Sequence, residues 1–170
     1  MGLKLATLAY LRCDGRTLML HRSGREDDVH RGRYNGLGGK FEPGESPEQC
    51  LRREVLEESG FRVEEAHLKG FLTFPAFDGV DDWHTFVYVV PRFSGEPLER
   101  SAEGTLHWVP DGALLDLELW PGDRVFLPWL GRTAFFSARL VYDGGRFRGY
   151  QAAFYGEGGV FLGEEDGGPS

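Results

Sequence analysis

The sequence is short of cysteine, of basic residues and of long apolar runs, and each shortage closes off a class of protein. Cys13 and Cys50 are the two cysteines. They stand far apart with no C-x-x-C, so they form neither a disulfide framework nor a zinc pattern. Lys and Arg number 19 against 27 Asp and Glu, a net charge of −8. Long nucleic acids and anionic membranes need a basic face, and neither is expected as a partner. No apolar run approaches the roughly 20 residues that span a bilayer. The opening segment MGLKLATLAYLRCDG is interrupted by Lys4 and Arg12 and carries no signal-peptide core. These absences predict a soluble cytoplasmic protein, monomer or homodimer.

What is present is a core. The 170 residues are 41% hydrophobic and include 13 Phe and 4 Trp, enough for one self-sufficient domain. Apolar alternation predicts strands at 3–12 and 17–22, joined at Asp14-Gly15. A polar, Gly-rich loop is expected over 23–40. Ser46, Pro47 and Gln49 form a capping signature for a helix over 46–59, and Gly60 is placed to end it. Strands are expected at 61–63, 67–75, 84–91 and 105–109, short helices near 112–117 and 122–131, and a late hairpin at 134–142 and 146–155. Few helices among many strands indicate an α/β or α+β layered fold. The domain is expected over 1–155. Residues 156–170, GEGGVFLGEEDGGPS, read as a flexible acidic tail.

The chemistry concentrates in GKFEPGESPEQCLRREVLEESGF, residues 39–61. At about 100° per residue, with Leu51 at zero, Val55 falls near 40°, Glu58 near 340°, Glu54 near 300° and Glu57 near 240°. The three carboxylates therefore border the apolar stripe. Acids held beside a buried edge repel one another unless a cation sits among them, and a hard divalent ion suits such oxygens. The alternative is a helix decorated with ion pairs such as Glu48–Arg52.

Gly39, five residues, Glu45, seven residues, then Arg53-Glu54-Val55-Leu56-Glu57-Glu58-Ser59-Gly60-Phe61 matches the Nudix box at every fixed position. By this the chain resembles the Nudix hydrolases. The resemblance implies an α/β/α sandwich with a mixed sheet and a loop–helix–loop metal site. It implies Mg²⁺, with Mn²⁺ as a substitute, held by Glu54, Glu57 and Glu58 with the Gly39 carbonyl. It further implies that Glu45 and Arg53 pair to hold the loop, and that Glu54 is the first candidate for general base. Lys40 beside Gly39 would meet a phosphate, unless it is an ordinary solvated loop lysine.

Outside the box, RYNGLGGKFEPGES is similar to oxidised-purine nucleoside triphosphatases of the MutT type, which would make Asn35 a base contact. The alternative is an asparagine used for turn geometry before Gly36. Trp120-Pro121-Gly122-Asp123 resembles a Trp-Pro-Asp-Asp segment of that subgroup. Trp120 would stack on the base and Asp123 would accept from it, against core packing and a helix-terminal charge as alternatives. Gly122 departs from the pattern by lacking the first carboxylate, which favours guanine-type over adenine-type recognition. Glu103 matches an extra carboxylate near the metal, or is an exposed loop acid. Thr7 would reach the base from the first strand. His21 and His30, with Arg22, Arg25 and Arg33, form a basic loop suited to phosphates.

The resemblance thus implies hydrolysis of a nucleoside triphosphate, 8-oxo-dGTP for preference, to monophosphate and pyrophosphate. The alternatives are another Nudix substrate (ADP-ribose, a dinucleoside polyphosphate or a capped RNA end) and a catalytically silent nucleotide-binding module.

Overall fold

The computed structural model describes residues 1–169. The chain runs β1 (Leu3–Cys13), β2 (Arg16–Arg22), β3 (Tyr34–Asn35), β4 (Leu37–Lys40), α1 (Pro47–Ser59), β5 (Arg62–Phe74) and β6 (Asp82–Ser94). It continues through β7 (Gly104–Pro110), α2 (Pro121–Phe126), β8 (Phe135–Asp143), β9 (Arg146–Tyr155) and β10 (Phe161–Gly167). The strands form one sheet in the order β10-β9-β8-β5-β6-β1-β2-β3, with β4 on β1 and β7 on β2. The pairs β1–β6 and β5–β8 are parallel and the rest antiparallel. The sheet is therefore mixed, as expected.

Alternation along β1 divides the core. Tyr10 joins one cluster with Met19, Trp120, Phe126 and Phe136. Ala9 and Leu11 join the other with Leu51, Val55 and Phe61. Successive side chains leave a strand on opposite faces, so α1 covers one face and the 111–131 segment covers the other. This is the layered sandwich that the resemblance implied.

The start of α1 follows its capping signature. Gln49 N–H donates to the Ser46 hydroxyl at 3.2 Å, and Ser46 N–H donates back to Gln49 Oε1 at 2.9 Å. Gly60 closes the helix at φ 80°. The expected helix near 122–131 is α2 followed by a 3-10 segment, Leu127–Gly131. The expected helix near 112–117 is a 3-10 turn, Asp111–Asp116, and Asp111 accepts from the Thr17 hydroxyl at 2.6 Å.

Two expectations are corrected. The 23–40 loop ends in strands at 34–35 and 37–40, because Leu37–Lys40 pairs against Ala6–Ala9 of β1. The tail is not a free end: 161–167 is the edge strand β10, paired with Tyr150–Tyr155 of β9. Backbone pairing depends little on the Gly- and acid-rich composition that suggested disorder, and Phe161 packs on Tyr155 at 5.9 Å between ring centroids. Ser170, the last residue of that segment, lies outside the described residues. Among the described residues no helix is long and apolar enough to cross a membrane.

Candidate active site

The loop before α1 is locked to the helix by one guanidinium. Arg53 donates through Nε to Glu45 Oε1 at 2.6 Å and through Nη2 to Glu45 Oε2 at 2.9 Å. The same Nη2 reaches the Lys40 carbonyl at 3.0 Å, and Nη1 reaches Glu54 at 2.7 Å. A planar fork that fills both oxygens of a carboxylate fixes orientation as well as distance. Arg53 pulls the Glu45 carboxyl down to about 2. The Glu45–Arg53 pairing expected from the box is present.

The three box glutamates differ in setting. Glu58 is buried, and its Oε1 accepts from Gly38 N–H at 3.0 Å. Its Oε2 is buried with no hydrogen-bond partner. Loss of water pushes the Glu58 carboxyl well above its ordinary range, and Glu54 beside it adds to the effect. Glu54 lies against Gly39 so closely that a Cβ there would stand 2.6 Å from its carboxylate. A side chain there would displace the Glu54 carboxylate. Glu57 is the exposed member and lies 3.4 Å from Arg53.

Among the described residues no three acidic, His or Cys side chains already converge as a metal cluster. The donor set nevertheless fits a hard divalent cation, because the orphaned Glu58 oxygen sits beside Glu54 and Gly39. The Cys50 thiol lies 3.5 Å from the Gly39 carbonyl.

Glu103 is not a free loop acid. Its carboxylate lies 3.1 Å from Arg22, which also holds Asp28 at 2.8 Å. The Arg22 charge bears on Glu58, so Glu103 and Glu58 share one cationic neighbour. Lys40 is exposed, with its ammonium 5.3 Å from the centre of the Trp83 ring. Thr7 corrects an expectation. It is buried and meets Cys50 at 3.4 Å, on the α1 side of the sheet. Its neighbours Leu8 and Tyr10 face the other way, toward Trp120.

At the far side of the sheet, Trp120 is mostly buried, with Phe77 and Tyr142 edge-on at 5.5 and 5.6 Å. The Arg33 guanidinium covers one of its faces at 4.0 Å, and its N–H donates to His30 Nδ1 at 2.8 Å. The expected open stacking platform is thus already covered on one side. Burial holds His30 below its ordinary pKa, which keeps the ring an acceptor. His30 and Arg33, expected to meet phosphates, clasp the indole instead. Their aromatic partner lies 90 positions away for His30, so no local pattern could reveal it.

Asp123 is buried. Desolvation raises it to about 7, against the pull of Arg33 and Arg124. Gly122 explains its departure from the two-acid pattern. Its N–H donates to the Tyr142 hydroxyl at 2.8 Å, and a Cβ there would stand 2.7 Å from that oxygen. Asn35 is half-buried on β3, opposite Leu20.

The NUDIX domain family matches residues 3–130. The Nudix hydrolase YvcI of Bacillus subtilis is 32% identical over 131 residues, covering 75% of this chain and 79% of its own. An oxidized purine nucleoside triphosphate hydrolase of Danio rerio is 29% identical over 141 residues, covering 83% and 88%. A MutT protein from Bacillus halodurans shares the fold, with a TM-score of 0.73 at 24% identity over 96% of this chain and 97% of its own. With the box locked by Arg53 and Glu54 held against Gly39, the chain belongs to the Nudix hydrolase family and is of the MutT type.

Proposed function

We propose that this protein hydrolyses nucleoside triphosphates to the monophosphate and pyrophosphate, with Mg²⁺ (Mn²⁺ as substitute), and prefers oxidised guanine nucleotides such as 8-oxo-dGTP. Its role would be to clear the nucleotide pool of mutagenic precursors. The observation that carries the catalytic half is the partnerless, buried Glu58 oxygen beside Glu54 and the bare Gly39. Glu54, Glu57 and Glu58, with the Gly39 carbonyl and Glu103, would hold the cation. When bound, the cation supplies charge neutralisation on the phosphoryl oxygens and acidifies water.

The chain's own residues do the rest. Glu54, oriented by Arg53 at 2.7 Å, is placed to accept the proton of the attacking water. Arg53 holds Glu45 and the Lys40 carbonyl, and so fixes the loop on which the phosphates lie. Lys40 meets the triphosphate as a point charge. Asn35 and Asp123 address the base, Asp123 as the acceptor for a purine N1–H and exocyclic amine. The Danio rerio relative named as an oxidized purine nucleoside triphosphate hydrolase supports this choice of substrate.

Product analysis over a panel of normal and oxidised triphosphates tests the reading. Monophosphate and pyrophosphate from 8-oxo-dGTP, well ahead of dGTP, is the expected result. Comparable turnover of every normal triphosphate would remove the selectivity. Two nucleotides released from a dinucleoside polyphosphate at higher efficiency would replace the substrate class.

A further inference from the structure

Three buried side-chain atoms among the described residues lack a hydrogen-bond partner: Glu58 Oε2, Arg12 Nε and the Tyr10 hydroxyl. The first belongs to the cation site above. Tyr10 has no role so far, and a phenylalanine in its place would avoid burying an unpaired hydroxyl.

The surroundings of that hydroxyl are specific. Tyr10 is fully buried on the β1 face that looks toward α2, and its ring meets Phe126 edge-on at 6.3 Å. Asp123 precedes Phe126 by one helical turn and therefore projects from the same side of α2. On another side, Gly36 lies directly on the phenol: a Cβ there would stand 2.9 Å from Cε1 and 3.0 Å from Cζ. Gly36 follows Asn35. The hydroxyl end of Tyr10 is thus bracketed by the residue after Asn35 and by the turn that carries Asp123.

We propose that Tyr10 is a specificity-determining residue whose hydroxyl donates to the 6-oxo oxygen of a purine held between Asn35 and Asp123. The inference rests on the base-recognition reading above and adds a third polar contact to it. Burial, reinforced by the Asp123 charge, holds the phenol well above its ordinary pKa, so it remains a proton donor. A guanine-type base offers an acceptor at position 6 beside the N1–H that Asp123 takes. A site built to hydrogen-bond a substrate oxygen rejects an analogue that lacks it, because the site's own polar group is then left unpaired.

The test compares Tyr10→Phe with the parent on 8-oxo-dGTP and on 2-aminopurine deoxyribonucleoside triphosphate, which keeps the ring and 2-amino group without the 6-oxygen. The variant should lose about tenfold in kcat/KM on 8-oxo-dGTP, mainly through KM, and change less than about threefold on the analogue. Its melting temperature should not fall, since the lost hydroxyl has no partner in the protein. Equal losses on both substrates, or no loss on 8-oxo-dGTP, would overturn the assignment. Asp123→Asn on the same pair separates the two levels. If it leaves the preference for 8-oxo-dGTP intact, the base-recognition reading fails and Tyr10 falls with it. If it abolishes the preference while Tyr10→Phe leaves the preference unchanged, only the Tyr10 assignment falls.

Discussion

The Arg33 guanidinium lies 4.0 Å from the centre of the Trp120 ring and also donates to the Leu119 carbonyl at 3.0 Å. It ties the 23–33 loop to the segment that carries Asp123. A cation held over a largely buried indole contributes about 1–2 kcal/mol. Arg33→Ala is expected to lower the unfolding free energy by about that amount and to shift tryptophan emission as Trp120 meets water. Chemical unfolding followed by fluorescence checks both, and unchanged emission would show that the cover is not Arg33.

Arg53 makes contacts that a lysine cannot reproduce, because one ammonium cannot span both Glu45 oxygens, Glu54 and the Lys40 carbonyl. Arg53→Lys should therefore fold normally yet lose roughly 10²-fold in kcat through misplacement of Glu54 and the phosphate loop. Steady-state kinetics beside circular dichroism distinguishes this from unfolding.

Glu58 sets stability against binding. In Glu58→Gln the cost of burying an acid beside Glu54 is gone, so the metal-free protein should be at least as stable as the parent. Addition of Mg²⁺ should raise the parent's melting temperature, since a ligand bound only by the folded state stabilises it. The variant should lose most of that shift and about 10³-fold in turnover. Thermal melts with EDTA and with Mg²⁺ measure it, and an undiminished shift would remove Glu58 from the cation site.

Asp123 predicts a pH dependence of stability. Its carboxyl is raised from 3.8 to about 7 by burial, so between those values the folded state keeps a proton that the unfolded chain releases. Stability from this group is complete below 3.8 and declines as pH rises to about 7, with no further change above. Asp123→Asn lacks that decline. Relative to the parent, it should gain about 1–3 kcal/mol on passing from pH 5 to pH 8. Denaturant unfolding at the two pH values tests this, and parallel profiles would place the titration elsewhere.

Much of the box could be read without a structure. A capping signature, Gly60 and helical spacing act within a few residues, so the bounds of α1 and the edge position of its glutamates followed from local rules. The different settings of Glu54, Glu57 and Glu58 did not, because burial is decided by β4 lying on β1 and placing Gly38 and Gly39 against the helix. The 34–40 strands and β10 escaped for a related reason. A strand gains its hydrogen bonds from a partner distant in sequence, and Gly-rich segments carry no alternation to announce it.

The sequence by itself determined that three glutamates border an apolar stripe on one helix, since helix geometry turns spacing into a face, while the Arg53–Glu45 lock was implied by the resemblance to the Nudix box. Only the tertiary structure decided which side of the sheet each residue serves. Thr7 and Tyr10 lie three apart on one strand, yet the first meets Cys50 under α1 and the second packs with Trp120 and Phe126 on the opposite face. A strand reverses its side-chain direction at every residue, and what waits on each face comes from parts of the chain that no local pattern can see.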